Sequence, residues 1–235
     1  TRGKAGVRLT IRPVWNLNWK LIQRILRVGM PPAIASVLRN SARLVFLAIV
    51  GTSALGVSIQ AAVGVGLQIR LVSVLPALAF QVATATLVGQ AVGRGDFDKA
   101  EVIGKRSVLL LSILIAIVVG LITVFARPLT GLFIVDPETI NIGVRVIRWF
   151  AIAQFFSALS ICTQGVLTGA GYTKPIMRYT LLTQWGVMLT LAFVLLIILN
   201  WDPDGLLLAW SVAPVLQLAL MQKLLWSGLW KVPRA

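Results

Sequence analysis

LVGQAVGRGDFDKAEV, residues 87–102, breaks a chain that is otherwise built mostly of Leu, Ile, Val and Ala. An apolar run narrows to small residues, reaches two glycines and a knot of charges, and then becomes apolar again. Gly93 and Gly95 suit the end of a helix. Asp96 or Asp98 can cap the helix that follows, and Asp98 with Glu101 has capping-box spacing. Upstream, Ala83, Thr84, Ala85, Thr86 and Gly89 leave room for a neighbouring helix to come close, which is how helices associate in lipid. The stretch reads as a turn between a tightly packed membrane helix and a short amphipathic connector.

The rest of the chain supports a membrane setting. Of 235 residues, 58% are hydrophobic and 12% are charged, against about 25% charged in ordinary soluble domains. The mean hydropathy is +0.90. One core cannot bury that much apolar surface, so the remainder faces lipid. The runs are continuous rather than alternating, which disfavours a β-barrel. The fold class expected is an all-α polytopic membrane protein, a bundle of six transmembrane helices. The apolar segments lie near 29–50, 55–89, 107–125, 142–168, 175–199 and 205–226. The second is longer than a bilayer requires, and Pro76, Gly64 and Gly66 offer it places to bend. Residues 1–27 form a basic leader, 28–230 the membrane lobe and 231–235 a tail.

The net charge is +15 with no His. Such a balance raises nucleic-acid binding, but the positive residues sit beside the spans, as the positive-inside rule requires. No nucleic-acid partner is expected. Arg94, Lys99, Lys105 and Arg106 follow the second segment; Lys174 and Arg178 follow the fourth; Lys223, Lys231 and Arg234 close the chain. The opposite loops carry Arg127 and the acids Asp136, Glu138, Asp202 and Asp204. Both termini are therefore expected in the cytoplasm. Trp15, Trp19, Trp149, Trp201, Trp226 and Trp230 mark the membrane boundaries, whereas Trp185 and Trp210 lie inside spans. The single cysteine, Cys162, has no partner for a disulfide or a metal site. With no nucleophile-and-base pair, no metal cluster and no buried acid, neither an enzyme nor a cofactor is expected.

Several polar residues stand out within the spans. Arg39 and Arg43 share a helix face, with Ser36 and Asn40 adjoining. Arg39 lies about 18 Å of helix beyond Arg27, near mid-membrane. An arginine there costs about 2.5–3.5 kcal/mol on insertion scales, so it does not face lipid. It either pairs with an acid or carbonyls of a partner or lines a cavity that draws anionic or zwitterionic substrates. Gln154, Ser157, Gln164 and Thr168 fall on one face of the fourth segment, as interhelical hydrogen bonds or as cavity lining. Thr183, Gln184 and Trp185 sit mid-membrane in the fifth, where Trp185 either packs or stacks on an aromatic substrate. Arg70, Pro76, Gly89, Gly93 and Gly95 are expected in packing and turns.

Three motifs in register resemble the multidrug and toxic compound extrusion (MATE) family of secondary transporters: ATATLVGQAVGRGDFDKAE (83–101), FIVDPETI (133–140) and GVLTGAGYTKP (165–175). Their order matches helices seven to twelve, and the resemblance covers nearly the whole chain. It implies one lobe of a two-lobe antiporter that exports small organic compounds by alternating access, driven by H⁺ or Na⁺. The partner implied is an N-terminal lobe or a second copy of this chain, in a prokaryotic plasma membrane. A lipid-linked oligosaccharide flippase of the wider superfamily, or a non-transporting remnant, are the alternatives. Some members carry acids in helices seven and ten. Here helix seven holds Arg39, Asn40 and Arg43, and the nearest helix-ten position is Ser157. The coupling carboxylate is thus expected in the other lobe.

Overall fold

The computed structural model describes residues 19–51, 56–133, 136–199, 201 and 204–231. The leader before Trp19, Asp202 and the last four residues lie outside the described residues. Among the described residues six helices are long and apolar enough to cross a bilayer, in the expected order.

Helix α1 (Trp19–Val50) is already helical within the basic leader and runs through Pro31 and Pro32. Helix α2 (Gly56–Gly93) is continuous through Pro76. Its 38 residues reach roughly 57 Å, so it projects beyond the hydrocarbon. Helix α3 (Phe97–Val124) is one unbroken helix. This corrects the expected separate connector: residues 97–106 are simply its first turns, because Asp96 starts it and no breaker intervenes. After a short α4 (Ala126–Gly131) comes α5 (Pro137–Gly169), opened by Asp136 as N-cap with Pro137 at the first position. The Asp136 carboxylate accepts from the Thr139 N–H at 2.8 Å. The fifth span begins as α6 (Lys174–Thr180) and continues through π-helical turns at Leu181–Leu189 and Val194–Ile198, divided by α7 (Thr190–Phe193). Helix α8 (Asp204–Trp226) completes the bundle and passes through Pro214.

Helix α5 is the axis. Within its apolar window 72% of residues are buried, against 17% for α3, whose Leu109, Leu110, Ile113, Ile117 and Leu121 face outward. That outward face is the lipid contact of a bundle too small to cover all its apolar surface. Helix α5 packs on α2, α8, α3 and α4.

Its seam with α2 is close-packed. A Cβ placed on Gly165 would lie 2.5 Å from the Gln81 carbonyl oxygen, and one on Gly169 would collide with the Ala85 carbonyl. The two glycines form a small-xxx-small pair that lets backbones touch. Gly89 completes the seam, 3.3 Å from the Gly169 oxygen by the same construction. Gly93 faces open space.

The turn at 93–97 closes as the sequence requires. Gly95 has φ +78°, and the Asp96 N–H reaches the Ala91 carbonyl at 3.0 Å, the long bond of a Schellman closure. Asp96, not Asp98, caps α3, accepting from the Lys99 N–H at 3.0 Å. Glu101 pairs instead with Lys105 at 2.6 Å and Lys231 at 2.5 Å. Hydrogen bonding to Glu101 holds Lys231 above the usual lysine range. A second such closure, at Gly171 with φ +73°, ends α5 through a Tyr172 N–H to Leu167 carbonyl bond of 2.8 Å.

The ion pairs fix which helix ends lie together. Lys231, past the end of α8, meets Asp98 and Glu101 at the start of α3. Arg145, near the start of α5, meets Asp204 at the start of α8 at 3.6 Å. The ends alternate, as consecutive crossings demand. Arg145 also adds positive charge at the end where the loops hold mainly acids.

Candidate functional site

Between α1, α2, α5, the fifth span and α8 lies an open cavity of about 510 Å³. Its mouth follows from packing: α1 leans on α6 and the π-helical segment and touches α2 little. Arg39 and Arg43 from α1 and Arg70 from α2 therefore reach into a gap rather than into a helix interface. Helix α5 supplies Gln154, Ser157, Ser160 and Gln164, spaced so that one face serves the cavity while Gly165 and Gly169 serve the seam. Gln184 comes from the fifth span and Gln217 from α8.

One wall is held by a buried chain of amides. Gln184 Nε2 donates to Gln217 Oε1 at 3.4 Å, and Gln217 Nε2 donates to Thr180 Oγ1 at 3.3 Å. This ties the π-helical segment to α8, and π turns of this kind are often found at functional sites. Beside it, Trp210 is sandwiched between Phe150, stacked at 4.9 Å, and Phe46, tilted at 4.9 Å. Trp210, Met188 and Pro214 give the cavity an apolar side.

The charge is one-sided. Among the described residues no ion pair reaches Arg39, Arg43 or Arg70, and no Asp or Glu lines the cavity. Arg70 lines the same cavity as Arg39 and Arg43. A guanidinium presents a planar fork of donors suited to carboxylate or phosphate. Among the described residues no three His, Cys, Asp or Glu side chains gather as metal ligands.

Of the residues singled out in the sequence, Arg39, Arg43, Gln154, Ser157, Gln164 and Gln184 converge here. Asn40 is exposed and outside the lining. Trp185 is outside it too: its indole N–H donates to the Leu38 carbonyl at 3.0 Å, fastening the fifth span to α1. Arg70, expected in packing, lines the cavity as well. Gln217 and Ser160 were missed. An amide amid the apolar residues at the middle of α8 could have identified Gln217, since polar groups in a membrane face the bundle interior.

A family model described as MatE matches residues 31–196. The probable multidrug resistance protein NorM of Thermotoga maritima is 33% identical over 219 residues, 91% of this chain and 46% of that protein. The probable multidrug resistance protein NorM of Haemophilus ducreyi is 26% identical over 179 residues, 75% of this chain and 38% of that protein. Among solved structures, the Vibrio cholerae MATE transporter VcmN in its bent form superposes with a TM-score of 0.80 at 22% identity, over 90% of this chain and 48% of that one. The chain thus spans about half the length of the relatives it matches, and its fold is one lobe of such a structure.

Proposed function

This chain belongs to the MatE family, and from that premise we propose that it is one lobe of a two-lobe secondary antiporter that exports small organic compounds. The single observation that carries this reading is the polar cavity lined from the middle of α1, α2, α5, the fifth span and α8. A polar, arginine-bearing surface at that depth is too costly to leave against lipid. A second lobe facing it would enclose the cavity and make a path between two half-bundles, the arrangement in which repeats rock about a shared site. The second lobe is supplied by the rest of a longer polypeptide or by a second copy.

In this reading Arg39, Arg43, Gln154, Ser157, Gln164 and Gln184 face the cargo. The transport is coupled to H⁺ or Na⁺, and the coupling carboxylate belongs to the other lobe, since the acids of the described residues sit at helix ends. The ends that hold Lys105, Lys174 and Lys231 face the cytoplasm of a prokaryotic cell.

The test is transport by the full-length protein in proteoliposomes under an imposed H⁺ or Na⁺ gradient. Gradient-driven movement of organic compounds, reduced by substitutions at Arg39 and Gln164, is the expected result. Movement that ignores both gradients would overturn the antiporter reading.

A further inference from the structure

A second, smaller cavity of about 240 Å³ lies between α2, α3 and α5. Arg70 and Gln154 line both cavities and stand where the two adjoin. The smaller cavity is otherwise walled by Ile69, Ile122, Ile147 and Phe150. Three polar atoms at its edge have no hydrogen-bond partner among the described residues: Arg70 Nε, Ser73 Oγ and Gln154 Nε2. Ser73 is fully buried and Gln154 is 4% exposed.

Such atoms are uncommon, because a buried donor without a partner carries its full desolvation cost. Ser73 departs from the habit of this bundle. Ser41, Thr123, Thr163 and Ser211 each return their hydroxyl hydrogen to a carbonyl of the preceding turn. Ser73 does not. A guanidinium N–H, an amide N–H and a free hydroxyl, gathered in an apolar enclosure, are three donors that share a need for an acceptor. Arg39 and Arg43 add positive charge in the adjoining cavity, and among the described residues no carboxylate lines either cavity.

We propose that the inner cavity is an anion pocket, in which Arg70, Ser73 and Gln154 seat the oxyanion of the transported compound, a carboxylate, sulfonate or phosphate. This deepens the transporter reading and rests on it for the identity of the cargo. The body of the compound lies in the outer cavity against Trp210 and Met188. Low dielectric around the pocket strengthens its hold on an anion. The same field repels organic cations.

The experiment compares benzoate with benzylammonium, matched in shape and opposite in charge, binding to the purified full-length protein by calorimetry and by thermal shift. Benzoate is expected to bind and to raise Tm, and benzylammonium to do neither. Arg70→Gln should weaken benzoate roughly tenfold or more, Gln154→Leu several-fold and Ser73→Ala a few-fold. Each variant is first checked for an unchanged ligand-free Tm. If Arg70→Gln fails to fold, Gln154→Leu and Arg70→Lys decide by the same criterion, since lysine keeps the charge and loses the fork. Competition by inorganic phosphate would mark the pocket as open to free anions. Competition only by nanodiscs doped with phosphatidic acid would mark a lipid headgroup; either supports an oxyanion. Benzylammonium binding tighter than benzoate, or equal benzoate binding by the natural protein and the pocket variants, would overturn the proposal. Gradient-driven transport of cations without benzoate binding would overturn the pocket and leave the antiporter. Benzoate binding without gradient-driven transport would do the reverse.

Discussion

Helix α5 shows two surfaces of opposite character within single turns. Toward α2 it presents Gly165 and Gly169, so close to Gln81 and Ala85 that no Cβ fits. Toward the cavity it presents Gln154, Ser157 and Gln164, where space remains and one amide nitrogen goes unpartnered. The seam is held by backbone proximity and dispersion, since lipid removes the hydrophobic drive between helices. The cavity wall is held by sparse polar bonds of 3.3–3.5 Å. Rigidity and chemistry are thus separated across one helix: the seam fixes α5 so that the cavity can remain open.

The sharpest way to break this contrast is to fill the seam. Gly169→Val drives a branched side chain into the Ala85 backbone, so the helices must separate. A loss of about 3 kcal/mol is expected, the upper range of overpacking, read as a collapse of Tm and of the monodisperse fraction. Gly93→Ala, on the same α2 but with nothing within 4 Å of the added carbon, should change stability by less than about 0.5 kcal/mol and leave Tm nearly unchanged.

Cavity-wall substitutions should cost less. Gln217→Leu removes both bonds of the amide chain and strands Gln184 and Thr180. About 1 kcal/mol is expected, within the range measured for polar pairs between membrane helices, with a larger effect on transport than on Tm. Trp185→Phe removes the indole bond to Leu38 but keeps most of the ring. A loss of about 0.5–1 kcal/mol is expected, with cargo preference unaltered, because Trp185 does not line the cavity. Changed preference in that variant would place Trp185 in the path. The smallest disturbance is labelling. Cysteines introduced at Lys99 and Thr139 should react from opposite faces of the membrane. Reaction of both from one face would contradict the alternation of helix ends.

Much of this was legible in the sequence, and the reasons differ by element. Continuous apolar runs fixed the six crossings, because length against bilayer thickness is a local property. The turn at 93–97 was legible because glycine and aspartate have few other uses at a helix end. The small residues at 83–89 announced a close neighbour, yet nothing in one sequence says that Gly165 and Gly169 supply it. The connector expected between α2 and α3 was wrong for a physical reason: a polar first turn is still helix when it is capped. Arg39 and Arg43 were identified by their cost in lipid. Arg70 was expected in packing, because its place beside them depends on how α1 is set against α2. The π-helical turns around Gln184 left no mark in the residue pattern.

Two adjacent residues of α5 test the separation of seam and cavity most directly. Gln164 lines the cavity and makes one long bond, 3.5 Å to Ser160; Gly165 sits in the seam. Tm and gradient-driven transport should be measured together for Gln164→Leu and Gly165→Ala in the full-length protein. The account predicts that Gln164→Leu lowers stability by no more than about 1 kcal/mol, with little change in Tm, and loses most transport, while Gly165→Ala loses the fold. Normal transport by Gln164→Leu, or an unchanged Tm for Gly165→Ala, would contradict it.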